Sequence, residues 1–476
     1  MSEPVTTELR GIPGLDDDEL RTANLLLAGL KDRQERNLLR SCYYDGRRAI
    51  HDVGGVIPAT YRNLALVLGW AAKGVDGLAR RCNLDAMVWP DGDIDALGMP
   101  ELADSNFLFS EMSQARTDSL LHGVSYLITT QGADGEPKAL VHAKDALNAF
   151  GQWNPRRRAL DNLLSITSRD HDQITGFVLY LDGVTVTADR VGGNWDVRRS
   201  KHPWHVPADP LVYHPRASRR MGRSRITRPA MELQDAALRA LRRLEAHMDI
   251  YAIPKLMVLG ADESIFKNAD GSPKASWQVV MGRVLGIPDD DDAANPRAQV
   301  QQLSAESPQP HLAQLNALAK LTAREYDLPD SDFAMTDIAN PTSADSYNAS
   351  RENLIAEAEG ATEDWSVAIR RTVTRALAIQ NGVDEVPAAW STIAPKWRPP
   401  VYVSKAAQAD AGAKQLAMVP WLAETKVGLE LLGLDEQQIE RALAEKAVAE
   451  RKAAGRAVVA ALQQPQQQVT ADANGA

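Results

Sequence analysis

The stretch HLAQLNALAKLTAREYDLPDSDFAMTDIANPTSADS, residues 311–346, decides how this chain is put together. Leu312, Leu315, Leu318 and Thr322 recur at three- and four-residue steps, which predicts a helix over 311–325. The period then stops. Residues 327–340 are polar and outrun the roughly two to eight residues that usually join helices. This stretch carries Asp327, Asp330, Asp332 and Asp337 and no Lys or Arg. At Asn340-Pro341-Thr342-Ser343 a new helix is predicted. Pro341 suits its first turn, where the missing N–H has no partner to lose. That helix is predicted to span 343–380, with Tyr347, Leu354, Ala358, Trp365, Ile369 and Val373 on one stripe.

Working upstream, Ile226, Leu233, Ala237, Leu241, Leu244 and Met248 predict a helix over 224–249, a rod of about 39 Å. Pro254 ends it. Residues 253–310 are turn-rich, with Asp270-Gly271-Ser272-Pro273 and an acidic run from Asp289 to Asp292. The order is therefore helix, insert, helix, polar loop, longer helix.

The flanks are read more coarsely. Helices are expected at 16–41, 57–82 and 103–122, and a β-rich module at 123–215. Its strands are expected at 124–130, 163–169, 174–182, 184–188 and 194–199, with Asp182-Gly183 and Gly192-Gly193 as hairpin turns. Pro395, Pro399 and Pro400 bracket an extended piece. Residues 405–462 are helical in pattern, and the glutamine-rich tail 463–476 is too poor in apolar residues to pack. The fold class is α+β, mostly helical.

Composition sets the outer limits. The 476 residues suffice for two to four domains, and 44% hydrophobic with 24% charged residues is ordinary for a globular chain. A net charge of -10 disfavours a tight, static grip on nucleic acid. It is compatible with a wall past which phosphates slide, and equally with any acidic cytoplasmic protein. Cys42 and Cys82 have no metal-site spacing and are expected as buried thiols in a reducing compartment. Residues 1–18 lack the basic start and apolar run of a signal peptide, and no run is long enough for a membrane span.

Catalytic chemistry is not legible. There is no GxxxxGK[ST] loop, HExxH or GxSxG. Asp91, Asp93 and Asp95 alternate like the start of a calcium loop, but the glycine and closing glutamate are not at the required offsets. Asp289 to Asp292 read as a solvated loop tip, and His202, His205 and His214 have no neighbouring Cys or carboxylate to complete a metal site. No cofactor is expected. The arginines at 216, 219, 220, 223, 225 and 228 form the strongest local charge signal. Phosphate contact is one reading; the favoured one is a solvated or subunit-facing turn paired to surplus carboxylates.

The element order resembles the portal proteins of tailed phages, the long-tailed kind in particular. His214-Pro215 with Met221-Gly222-Arg223-Ser224 resembles that family's lead-in to its first stem helix. His311 to Leu318, then Ala323-Arg324-Glu325-Tyr326-Asp327-Leu328-Pro329, resembles the second. Asn340-Pro341-Thr342-Ser343-Ala344-Asp345-Ser346 resembles the lead-in to the long helix, and Trp397-Arg398-Pro399-Pro400 with 404–414 the segment after it. Arg398 departs from the family, which often carries an acid there.

The resemblance implies a wing (1–223), stem helices (224–252 and 311–326), a clip (253–310), a tunnel loop (327–341), a long helix returning to the wing (342–404), a crown (405–462) and a disordered tail. It implies a ring of usually twelve copies at a capsid vertex, assembled in the host cytoplasm, through which double-stranded DNA passes. Partners would be other copies, the terminase large subunit, head-completion or adaptor proteins and the major capsid protein, with no membrane and no bond chemistry. Asp327, Asp330, Ser331, Asp332, Asp337 and Asn340 are the expected channel residues; Trp277, Val280, Leu285 and Ile287 the expected clip interface. The alternatives are another phage head protein, or an enzyme whose site has no short motif.

Overall fold

Helix α1 (Asp17–Tyr44) begins where the sequence supplies a reciprocal cap. Asp16 Oδ1 accepts from the Glu19 N–H at 2.7 Å, and Glu19 Oε2 accepts from the Asp16 N–H at 3.0 Å. The computed structural model containing this helix describes residues 8–47, 66–251, 255–259, 267–268, 270–273, 299–303, 307–333, 351–401 and 405–463. The chain divides into two compact units, Met1–Pro400 and Val401–Ala476.

In the first unit, α1 is followed by α2 (Trp70–Ala79), β1 (Leu84–Val88), α3 (Met99–Asn106) and α4 (Leu108–His122). Eight strands come next: β2 (Val124–Gln131), β3 (Ala139–Asp145), β4 (Ala149–Asn154), β5 (Ala159–Asp170), β6 (Gln173–Leu181), β7 (Val184–Val191), β8 (Asn194–Lys201) and β9 (Ala208–Val212). They make a three-stranded sheet, β3-β2-β9, and a five-stranded antiparallel meander from β4 to β8. Asp182-Gly183 and Gly192-Gly193 form its last two turns, with positive φ at Gly183, Gly192 and Gly193.

Helix α1 covers one face of the meander. Ala23, Leu26, Leu27 and Leu30 pack with Leu164, Ile166, Phe177 and Leu179. Each buried leucine is worth about 1.5–3 kcal/mol against exposure. Gly29 permits the approach, since a Cβ there would lie 2.5 Å from the Phe150 ring. Helices α5 (Arg228–Tyr251) and α6 (Gln309–Glu325) pack on each other, and between them β10 (Lys255–Leu259) pairs antiparallel with β11 (Gln299–Leu303). Helix α7 (Glu352–Gln380) runs under the three-stranded sheet. Leu354, Ala358, Trp365, Ile369 and Val373, the stripe expected from the sequence, are buried; Tyr347 lies outside the described residues. The first unit closes with β12 (Ala394–Trp397), which pairs with β1. The second unit holds α8 (Lys405–Met418), α9 (Lys426–Leu431) and α10 (Glu436–Gln463).

Several expectations need correction. The helix expected over 57–82 is α2 and starts only at Trp70; Leu66 and Leu68 precede it, and 48–65 lie outside the described residues. The helix expected over 103–122 is two, because Phe107 takes φ 47° and breaks the ladder. The helix expected from Ser224 starts at Arg228. The Ser224 hydroxyl donates to the Leu121 carbonyl at 2.6 Å and accepts from the Ile226 N–H at 3.0 Å, which holds the chain out of the helix. The helical stretch 405–462 is interrupted by a short turn at Pro420–Glu424. Strands β1, β3, β4 and β9 were not expected.

Candidate functional site

The chemistry of the first unit gathers where α5 begins, α6 ends and α2 and α7 pass. Its centre is Arg225, whose residue exposure is 5%. Its Nε donates to the Gly74 carbonyl on α2 at 2.7 Å, and Nη1 donates to the Tyr213 hydroxyl at 3.1 Å. Nη2 donates to the Tyr326 carbonyl just past α6, and Nη1 forms an ion pair with Glu357 of α7. The Tyr213 hydroxyl donates to the same carboxylate. Burial works to lower the Arg225 pKa, but Tyr213 and Glu357 outweigh it and hold the guanidinium above its ordinary value. Burial pushes the Tyr213 and Tyr326 hydroxyls up, so both stay protonated.

Small residues let the pieces meet. A Cβ at Gly74 would lie 2.4 Å from the Tyr326 ring, so α2 carries glycine where the ring packs. Gly222 has φ 64°, and a Cβ there would lie 2.3 Å from the Tyr213 carbonyl and 2.4 Å from that of Gly123. The Met221-Gly222-Arg223-Ser224 motif thus has a local reason: a buried anchor, a close approach and a hydroxyl that ends the strand-to-helix passage. Thr227 adds a hydrogen bond from its hydroxyl to Glu325, linking the first residues of the α5 side to the last of α6.

The segment after α6 folds back on α2. Leu328 is buried, and the Tyr326 and Phe333 rings stack with centroids 6.1 Å apart. Trp70 meets Phe333 edge-on at 6.0 Å. Asp327 sits at φ 49°, and its carboxyl is raised, first by burial and then by Glu357. Asp330 and Ser331 are exposed, in the short turn Asp330–Asp332. Asp332 is tied down, 3.9 Å from Lys73 Nζ and 3.7 Å from Arg351 Nη2. Asp337 and Asn340 lie outside the described residues, as do Trp277, Val280, Leu285 and Ile287.

The other residues singled out by sequence have ordinary work. Asp93 accepts from the Asp95 N–H at 3.0 Å in an exposed turn. His202 Nδ1 bonds the Trp204 carbonyl at 2.9 Å and His205 Nδ1 bonds Asp182 at 2.7 Å. Among the described residues no group of three His, Cys, Asp or Glu side chains is placed to hold a metal, and no helix is long and apolar enough to cross a membrane. Cys82 is buried, with its thiol pushed up to about 12 by burial. Arg398 pairs with Asp85 at 2.7 Å, joining the paired strands β12 and β1. Sequence reasoning missed Arg225 as a junction, together with Gly74, Tyr213 and Glu357. The signal at hand was slight: Ile226 directly after Arg225, inside an otherwise exposed basic run.

A family model described as phage portal protein, SPP1 Gp6-like, matches residues 24–452. The portal proteins of Mycobacterium phage D29 and Mycobacterium phage L5 are each 23% identical over 415 residues, covering 85% of this chain and 84% of theirs. Among solved structures, a chain from the neck of a native gene transfer agent particle aligns with TM-score 0.40 and 15% identity, over 76% of this chain and 89% of that one. A chain from the virion of the native particle aligns with TM-score 0.39 and 15% identity, over 77% and 89%.

Proposed function

The chain belongs to the phage portal protein family, SPP1 Gp6-like, and from that premise we propose how its parts serve a portal ring. Twelve copies close head to tail at one vertex of the capsid, and double-stranded DNA passes through the axial hole during packaging and ejection. The subunit catalyses no bond chemistry. The terminase large subunit docks during packaging, head-completion or adaptor proteins afterwards, and the major capsid protein surrounds the ring.

The observation that carries the assignment of parts is the paired α5 and α6, with both ends fastened at Arg225. These are the stem helices. The β10–β11 ribbon leads into the clip, where Trp277, Val280, Leu285 and Ile287 pack between subunits or under an adaptor. The module from α1 to β9 with α7 is the wing, and α8 to α10 the crown. Residues 327–341 form the tunnel loop, rooted on the wing through Tyr326, Leu328 and Phe333. Asp327, Asp330, Ser331, Asp332, Asp337 and Asn340 lie along it, and its carboxylates, repeated round the ring, repel phosphates so that DNA moves without being held.

Mass tests the ring directly. Twelve copies of a 51.9 kDa chain give a particle of about 0.6 MDa. Native mass spectrometry that finds only monomers at all concentrations and salts would end the proposal. The clip assignment fails separately if Trp277→Ala and Ile287→Asp both leave ring mass and adaptor binding unchanged.

A further inference from the structure

A second gathering of charge lies away from Arg225, in a cleft of about 360 Å³ between α1 and the turn before α5. Arg33, Arg36 and Arg40 line it from α1, and Arg219, Arg220 and Arg223 from the turn. Among the described residues, the ion pair these six make is that of Arg36 with exposed Asp32, at 3.4 Å. Arg40 spends its donors on neutral acceptors, Asn37 Oδ1 at 2.9 Å and the His122 carbonyl at 3.3 Å. Burial, then Arg36 and Arg219, bring its pKa down to about 10. His122 Nε2 meets Ser41 Oγ at 3.0 Å, while its buried Nδ1 has no hydrogen-bond partner among the described residues.

The walls are fixed. Arg216 and Arg219 exchange both backbone hydrogen bonds, at 3.1 and 2.9 Å, and Gly222 seats the turn against Tyr213 and Gly123. Arg33 lies 5.0 Å over the Phe150 ring. The lining between the arginines is mixed: Val124, Ala149, Phe150 and Met221 give it an apolar part, beside Asp32, Asn37 and His122.

We propose that this cleft receives an acidic extended segment of a second copy of the chain, its carboxylates on the arginines and an apolar side chain on the floor. The inference rests on the ring reading given above. A duplex carries its phosphates on outward ridges and has no apolar side group to fill such a floor. A peptide that mixes acids with one apolar residue fits both features. Each copy brings surplus carboxylates, 63 acidic against 53 basic residues. A head-to-tail interface sets a different face of the neighbour against this one, so the carboxylates that one lining acid, Asp32, does not supply can come from the other copy.

The test is assembly of the full chain carrying Arg36→Glu, Arg219→Glu and Arg220→Glu together. All three are exposed, so the thermal melt should match wild type. Rings should weaken at least about tenfold in subunit affinity, while the three Arg→Lys changes should largely preserve them. A photo-reactive residue at exposed Ser218 of the otherwise unaltered chain should crosslink to an acidic segment of another copy. That arm decides even if the triple variant folds poorly. Rings of unchanged affinity, or Ser218 adducts confined to one chain, overturn the inference. So does a variant that assembles normally but loses about tenfold in affinity for a short duplex DNA, which makes the cleft a nucleic-acid site. If wild type itself never forms rings, the ring reading fails first and takes this inference with it.

Discussion

Arg219 and Arg225 belong to one basic run, on either side of the Gly222 turn, yet they live in different physical worlds. Arg225 is buried, and its three nitrogens are bonded to Gly74, Tyr213, Glu357 and Tyr326. Arg219 is exposed, and its guanidinium faces a cleft it shares with five others. The difference teaches that charge density along a sequence does not fix what a charge does. A buried arginine joins elements of its own chain. An exposed one, repeated without counter-charge, is available to something outside it.

The largest effect should come from Arg225→Ala. It leaves the Glu357 carboxylate in the protein interior without its cation, a class of change that costs about 3–5 kcal/mol. Arg219→Ala should stay within about 0.5 kcal/mol. Urea unfolding of the two variants side by side checks this, and equal losses would break the contrast.

Asp118 sharpens it from the other side, as a half-buried carboxylate near a like charge. Burial first, then Asp145, pushes its pKa from 3.8 to about 7. Between those values the folded chain holds a proton that the unfolded chain has released. The group's contribution to stability therefore falls as pH rises through that window. Asp118→Asn should flatten this slope and raise the melting temperature most clearly near about pH 8. A melting profile parallel to wild type across the whole range would show that the site ionises freely.

The smallest stability effect should be that of Asp330→Lys, beside Asp332→Lys on the same turn. Asp330 is exposed, and its replacement should move the melt by no more than about 0.5 kcal/mol. Asp332 faces Lys73 and Arg351, and a lysine there should cost more, up to about 1 kcal/mol. If the tunnel-loop reading holds, Asp330→Lys nonetheless slows DNA passage in assembled heads, and raising salt relieves the defect. Packaging at the wild-type rate would sink that role for Asp330.

The sequence made the succession of helix, insert, helix, loop and longer helix legible because each helix carries its own 3.6-residue stripe. Strands β5 to β8 of the meander were legible too, since alternating residues and glycine turns are local signals. Strand β1 was not. Its partner β12 lies some three hundred residues away, and Leu84–Val88 offers no turn or alternation to announce the pairing. The break at Phe107 was hidden because positive φ at a non-glycine residue is set by packing rather than by residue type. Arg225 was hidden for a related reason: three of its four partners, Gly74, Tyr326 and Glu357, come from distant stretches. Of the residues proposed for the channel, Asp332 has a pairing that the sequence did not announce, since Lys73 lies far upstream.

The reach of Arg225 to the Tyr326 carbonyl has a further consequence. It brings together the two ends of an excursion about one hundred residues long, in a seam that Gln234 and Asp235 of α5 extend to Ala71 and Tyr43. Closing a flexible loop becomes harder only logarithmically, by about 0.6 kcal/mol for each doubling of its length. A chain lengthened or shortened between β10 and β11 is therefore expected to keep the scaffold's melt unchanged, provided both ends still arrive at the seam.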